Sequence, residues 1–310
     1  MMLDLHIHGA FGVDVGTASE DRLDGLSRKL RARGVSAWLP TLVPLPLRER
    51  REAIARLSGY VAARRPGDGR GAVPLGIHFE GPFLSRARCG ALDPAHFLDG
   101  TRTIEVNGLF SELEGLPGKN MVTIAPEIPG GVGLVERFVE AGFVAAIGHT
   151  DATTPVLDAA RAAGATHMTH FGNAMRPLHH RDLGPIGWGL LNDAVTLDVI
   201  ADLHHLHPDM LQLVFRVKGA KNVAIVSDAA PPAGLPDGNH LAWGQTLRLE
   251  HGVLRNAEGA LAGSACLLDD AVQRLLTLGL GDQAVKRATT EVPRRVLGIL
   301  PALTPAGEPE

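Results

Sequence analysis

Two histidines stand one residue apart near the start of the chain, His6 and His8 in the apolar run LDLHIHGAFGVDV. In a strand, residues i and i+2 point to the same side, so both imidazoles face one point. A strand can carry one solvated and one core histidine, but a converging pair is also what a metal site needs. The rest of the chain decides between these. It holds 14 histidines, and several sit beside Gly, Asp or Glu at the ends of apolar runs. His78 and Glu80 occur in IHFEGPF, His149 in AIGHTDA and His170 in MTHFGNAM. His204, His205 and His207 follow in IADLHHLHP, and Asp228 in IVSDAAPPAG.

Imidazole and carboxylate ligands suit zinc first, with iron or manganese as alternatives, whereas clustered thiolates are lacking for a structural zinc or iron–sulfur site. One or two divalent ions per subunit are expected. Glu80 can bridge an ion at His6 and His8 and another at His149 and His170. Such a pair would activate water near neutral pH and polarise a carbonyl oxygen. Asp228 would orient that water, accept its proton and pass it to the leaving group. A carbamylated lysine is the other bridge used in two-metal barrels. Here Lys119 precedes the fourth strand and Lys221 the eighth, so Glu80 is the remaining candidate.

The elements that must position these groups are legible as alternating runs. Strand-like segments read MLDLHIHG, VSAWLPTLV, AVPLGIHFEG, MVTIAPE, FVAAIGHT, ATHMTHFGN, AVTLDVIADLHH and NVAIVSDAA. Helical patterns separate most of them, as in EDRLDGLSRKLRARG and PLRERREAIARLSGYVAARR, with apolar residues near i, i+3, i+4 and i+7. Eight such units predict an α/β fold, a (β/α)8 TIM barrel, whose catalytic groups lie at the C-terminal ends of the strands. A doubly wound open sheet is the rival, but no Gly-rich phosphate fingerprint follows a strand. The reading gives a single barrel domain over residues 1–300 with a β-rich insertion around 241–263, turning at NAEG. Two helices follow the insertion, and residues 301–310 are expected to be a disordered tail.

Totals restrict the partners. Of 310 residues, 45% are hydrophobic and 21% charged, with a formal net charge of −4, so no basic footprint marks a nucleic-acid binder. No run is long enough for a membrane helix, and no charged-then-apolar leader is read at the N-terminus. Two cysteines, Cys89 and Cys266, offer no disulfide framework and fit the cytoplasm.

Together the motifs resemble the N-acetylglucosamine-6-phosphate deacetylase family of the amidohydrolase superfamily. The likeness runs through LDLHIHGAFGVD, HFEGPFLS, GHTDA, THFGNAMRPLHHRDLG, IADLHHLHP, VSDAAPPAGLPDG, LAGSACLLDDAV and ATTEVPRRVLGI, nearly the whole chain. It implies a metal-dependent amide hydrolase of the barrel type, a sugar-phosphate substrate and a homodimer. Glu80, His149 and His170 match the general metal ligands, His6 and His8 those of two-metal members, and Asp228 the catalytic acid/base. Arg181 in PLHHRDLG matches a phosphate-binding arginine that reaches the neighbouring subunit's site. Asn173, Ala174 and His205 match substrate contacts, Ala91 lies in the substrate-binding RCGALDP segment, and Gly263 falls in the LAGS loop over the sugar.

Three departures bear on the substrate. The family's small β-sandwich, built from segments flanking the barrel, is expected to be absent. Leu92 stands where a polar residue, commonly histidine, can touch the amide carbonyl. Leu203 replaces the glycine of the ADGxH pattern. The expected reaction is removal of acetyl from N-acetylglucosamine 6-phosphate. Alternatives are another small N-acyl sugar or amide, a catalytically silent sugar-phosphate-binding barrel, or a phosphoesterase. His78 is expected to buttress the site rather than bind metal, and His167 to lie in the core. His96, His240 and His251 have no positional argument.

Overall fold

The strand-like runs pair in chain order around a parallel barrel. The computed structural model describes residues 1–299, so the tail expected at 301–310 lies outside the described residues. The barrel strands are β1 (Met2–Ile7), β2 (Val35–Leu42), β3 (His78–Glu80), β4 (Met121–Ile124), β5 (Val144–Ile147), β6 (His167–Met168), β7 (Thr196–Ile200) and β8 (Val223–Val226). Each pairs in parallel with the next. The ring closes where Ile7 bridges Ala229 in parallel. At this seam the Asp228 N–H donates to the His6 carbonyl at 2.9 Å, and the His8 N–H to the Ala229 carbonyl at 2.9 Å.

Burial on both faces explains the near-continuous apolar strands. In β8 all four residues are buried. Val223 and Ile225 join the large outer core packed against the helices. Ala224 and Val226 join an inner cluster with Leu5, Leu39, Met121, Ala146 and Ile200. Val292, from the last helix, belongs to that inner cluster and closes the end opposite the site.

The helices are α1 (Glu20–Ala32), α2 (Leu47–Ala62), α3 (Thr103–Leu113), α4 (Gly131–Glu140), α5 (Thr154–Ala162), α6 (Gly184–Leu191), α7 (Pro208–Lys218), α8 (Leu268–Thr277) and α9 (Asp282–Val296). In α1, Leu23, Leu26, Ser27 and Leu30 form the buried stripe, with acids in the first turn and bases in the last. The segment GPIGWGLL of α6 is instead buried almost all round. Its end is held from α7, where Lys218 Nζ donates to the Gly189 carbonyl at 2.7 Å and also to that of Asn192.

Beyond β8 lies an antiparallel sheet of β9 (Gly238–Ala242), β10 (Gln245–Glu250) and β11 (Val253–Arg255). It begins a few residues before the segment expected from the sequence. The turn at Asn256–Gly259 follows β11, and Arg255 then bridges Leu261. A two-residue loop, Trp243 and Gly244, joins β9 to β10.

Candidate active site

The two histidines of β1 do converge: His6 and His8 Nε2 lie 3.1 Å apart. Glu80, at the end of β3, stands between them and a second pair. Its Oε2 is 3.4 Å from His8 Nε2. Its Oε1 is 3.0 Å from His149 Nε2 and 2.9 Å from His170 Nε2. His6, His8 and Glu80 form one buried group with metal-ligand geometry, and Glu80, His149 and His170 form another. Asp228 follows β8 and brings Oδ1 to 3.3 Å from His6 Nε2 and 3.2 Å from His8 Nε2.

This donor set fits a divalent cation. Four imidazole Nε2 atoms, of His6, His8, His149 and His170, meet the Glu80 and Asp228 carboxylates in a buried cluster. Burial lowers the basicity of His8, but hydrogen bonding and charge from Asp228 and Glu80 outweigh it and push its pKa up to about 10. Burial likewise opposes charge on His170, yet Glu80 above all pushes it up to about 9. Burial raises the Glu80 carboxyl, while His149 and His6, with the hydrogen bonds from His149 and His170, drive it well below its usual range. The pocket thus attracts positive charge, which a cation supplies in place of protons.

A supporting layer fixes the ring orientations. The Nδ1 atoms of His8 and His149 lie 3.1 and 2.8 Å from the carbonyls of Thr41 and Arg88, which selects the tautomer with Nε2 free to ligate. Asp198 Oδ1 accepts from the His170 backbone N–H, and its Oδ2 lies 2.8 Å from His167 Nε2. His78 bonds Thr123 Oγ1 at 2.8 Å with its Nε2, beside the His6 ring, and is in neither ligand group. His149, His170, Asp228, Ala174 and Leu203 all have positive φ. Backbone strain of this kind clusters at functional sites. At Leu203, φ is +64°, so the leucine keeps a backbone conformation that suits glycine.

The cavity over this cluster measures about 270 Å³. His8, Glu80, His149, His170 and Asp228 line it. So do the expected substrate contacts Ala91, Asn173, Ala174, His205 and Gly263, with Leu92 beside them. Arg181 is not brought to it: the residue is exposed on its loop, where Nη1 lies 2.7 Å from His180 Nε2. His6 is fully buried and does not line the cavity.

Several supporting residues escaped the sequence reading. Asp202 Oδ2 bonds His205 Nδ1 at 2.7 Å and accepts from Ser264 Oγ at 3.1 Å, so His205 is held rigidly at the rim. Glu127, at the end of the MVTIAPE run, accepts from Thr150 Oγ1 and the Asp151 N–H, both at 2.6 Å. A carboxylate ending a strand run was the available signal for Glu127. Trp243 reaches the cavity from the distant β9–β10 hairpin, and no sequence signal located it.

Imidazoles and carboxylates converging at the C-terminal end of a (β/α)8 barrel define the amidohydrolase class of hydrolase. Over 303 residues the chain is 34% identical to N-acetylgalactosamine-6-phosphate deacetylase of Escherichia coli O157:H7, covering 96% of this chain and 77% of that protein. It is 34% identical over 276 residues to N-acetylglucosamine-6-phosphate deacetylase of Bacillus subtilis, covering 88% and 68%. The solved N-acetylglucosamine-6-phosphate deacetylase of Thermotoga maritima matches with a TM-score of 0.86 at 30% identity, over 96% of this chain and 78% of that one. A mutant of the Mycobacterium smegmatis enzyme in complex with N-acetyl-D-glucosamine-6-phosphate matches with a TM-score of 0.87 at 31% identity, over 96% and 77%. No family model matches the chain. The chain belongs to the N-acetylglucosamine-6-phosphate deacetylase family.

Proposed function

We propose that the protein hydrolyses the N-acetyl group of N-acetylglucosamine 6-phosphate, giving glucosamine 6-phosphate and acetate. The observation that carries this reading is the Asp228 carboxylate, set against His6 and His8 at the floor of a sugar-sized cavity in a chain of this family. His6, His8, Glu80, His149 and His170 would hold one or two divalent cations, zinc foremost for this ligand set. A cation there supplies Lewis acidity toward the amide carbonyl and toward water.

The chain's own residues handle orientation and protons. Asp228 accepts a proton from the attacking water as the C–O bond forms. It then delivers that proton to the amide nitrogen as the C–N bond breaks, so the amine departs neutral. Asn173, Ala174 and His205 orient the sugar, and Gly263 leaves room above it. Arg181 binds phosphate in the site of a neighbouring subunit of a homodimer, which accounts for its position outside its own cavity. Among the described residues no helix is long and apolar enough to cross a membrane. Two free cysteines suit work in the cytoplasm.

Acetate release from N-acetylglucosamine 6-phosphate, with phosphate release followed in parallel, tests the reading. Acetate without phosphate is expected; phosphate without acetate would make the protein a phosphoesterase. N-acetylgalactosamine 6-phosphate is the second substrate to measure, because the Escherichia coli relative acting on that epimer is equally similar at 34% identity.

A further inference from the structure

The loop joining β9 to β10 consists of Trp243 and Gly244, with φ of +52° and +72°. Two-residue hairpin loops with positive φ at both positions favour Asn, Asp or Gly first. A bulky aromatic residue there is strained, and such strain persists where the surroundings hold it for a purpose. Here the ring is held inside the site. It packs edge-on against His8 with centroids 5.3 Å apart. A Cβ on Gly263 would lie 3.5 Å from Trp243 Cη2.

Behind this ring lies a second chamber of about 660 Å³. Trp243, Ala91 and Leu92 line both it and the cavity over the metal-type cluster. Leu42, Pro231 and Pro232 give its buried lining an apolar part, beside the buried Thr41; of its charged lining residues, Arg22, Glu49 and Asp93 are exposed and Asp14 is half-buried. The apolar part of this lining suits an alkyl chain.

We infer that Trp243 is the specificity-determining residue at the acyl end of the site, closing off a chamber that would otherwise take longer N-acyl chains. This rests on the amide-hydrolase reading. With the sugar against Asn173, Ala174 and His205 and the scissile carbon over the cluster, the acyl tail points away from the nitrogen. That direction leads to the His8–Trp243 wall. The intact protein is therefore an acetyl-selective enzyme, and the restriction comes from one side chain on a hairpin tip.

The test compares N-acetyl- and N-hexanoylglucosamine 6-phosphate on the wild type and on Trp243→Gly, a change that relieves the positive φ. Wild-type kcat/KM is expected to favour acetyl by at least 100-fold. Trp243→Gly is expected to shrink that preference at least tenfold by raising kcat/KM for the hexanoyl substrate. A smaller change overturns the inference. Adding Leu235→Asp, in the chamber lining, should abolish the hexanoyl gain and spare acetyl turnover; a gain that survives overturns the chamber assignment. Calorimetry on Asp228→Asn, with and without Trp243→Gly, reads hexanoyl-substrate affinity without turnover. At least tenfold tighter binding is expected in the double variant, and unchanged affinity counts against the inference. Failure of every protein to release either acid would instead sink the amide-hydrolase reading.

Discussion

His149 Nδ1 lies 2.8 Å from the backbone carbonyl of Arg88, and the Arg88 guanidinium clasps Asp151, just beyond His149 in the chain, at 2.6 and 2.8 Å. The two residues thus orient each other: the loop carrying Arg88 fixes the imidazole, and the loop carrying His149 anchors that arginine.

Arg88→Ala should therefore weaken cation binding although Arg88 touches no cation-binding atom. Loss of such an outer partner typically lowers metal affinity about 10–100-fold. Competition with a chelator measures this, and Arg88→Lys should recover part of the loss. Equal affinity in wild type and Arg88→Ala would show that the loop is held by other means.

Because Glu80 belongs to both ligand groups, its removal should differ in kind from removal of a histidine. Glu80→Gln should empty both groups. His6→Ala should lower metal content while leaving part of the activity, and His149→Ala should abolish activity. Elemental analysis of the purified proteins decides, and full activity in metal-free wild type would refute the metal assignment.

Asp228→Asn preserves size and one hydrogen-bonding oxygen but cannot carry a proton. Metal and substrate should still bind while kcat falls by ~10²–10⁴, the range for a positioned acid–base group. Retention of more than about a tenth of wild-type kcat would transfer the role to His205, the remaining histidine at the cavity rim.

Arg181→Ala should raise KM about 10–100-fold for phosphorylated substrate, in line with about 1.5–3 kcal/mol for a charged hydrogen bond. Unphosphorylated N-acetylglucosamine should be nearly unaffected. Mixed with Asp228→Asn, the Arg181→Ala protein should regain activity through hybrid dimers. Equal losses on both substrates would make Arg181 structural.

Lys218 is buried, and burial pushes its ammonium down to about 8. In the unfolded chain the group returns to its ordinary value near 10.4. Between those values the unfolded state binds the extra proton, so stability rises with pH across that window. Denaturant titrations of wild type against Lys218→Met should show a relative gain of roughly 2 kcal/mol for the wild type from pH 8 to pH 10.5. A flat difference would mean that the Gly189 and Asn192 carbonyls keep the ammonium charged.

The barrel was legible because the strand runs are rich in apolar residues and several end in a residue that an apolar interior would not tolerate unpaired. His6, Glu80, His149, His170 and Asp228 stand out for that reason alone. The helix α6 was not legible, since three glycines and a proline in GPIGWGLL leave no amphipathic stripe. Asp202 was hidden within IADLHH because one of its partners, Ser264, is brought to it only by tertiary folding, although His205 lies three residues away. Trp243 was hidden more deeply. Hairpin length could be guessed from Ala-Trp-Gly-Gln, but not that the tip would fold back onto His8.

The barrel seam has a consequence for when the protein becomes an enzyme. Ser227 Oγ donates to the His6 carbonyl at 3.3 Å, a contact between residues 221 apart in sequence. Contacts of such high order form late, because the intervening chain must be ordered before they reward closure. During synthesis the chain therefore carries His6 and His8 from the outset, with no proton carrier beside them until the last strand docks. The same dependence runs in reverse under mild denaturation. Parting of β1 from β8 would silence the site while most helices remain folded, so activity should fade ahead of the helical signal.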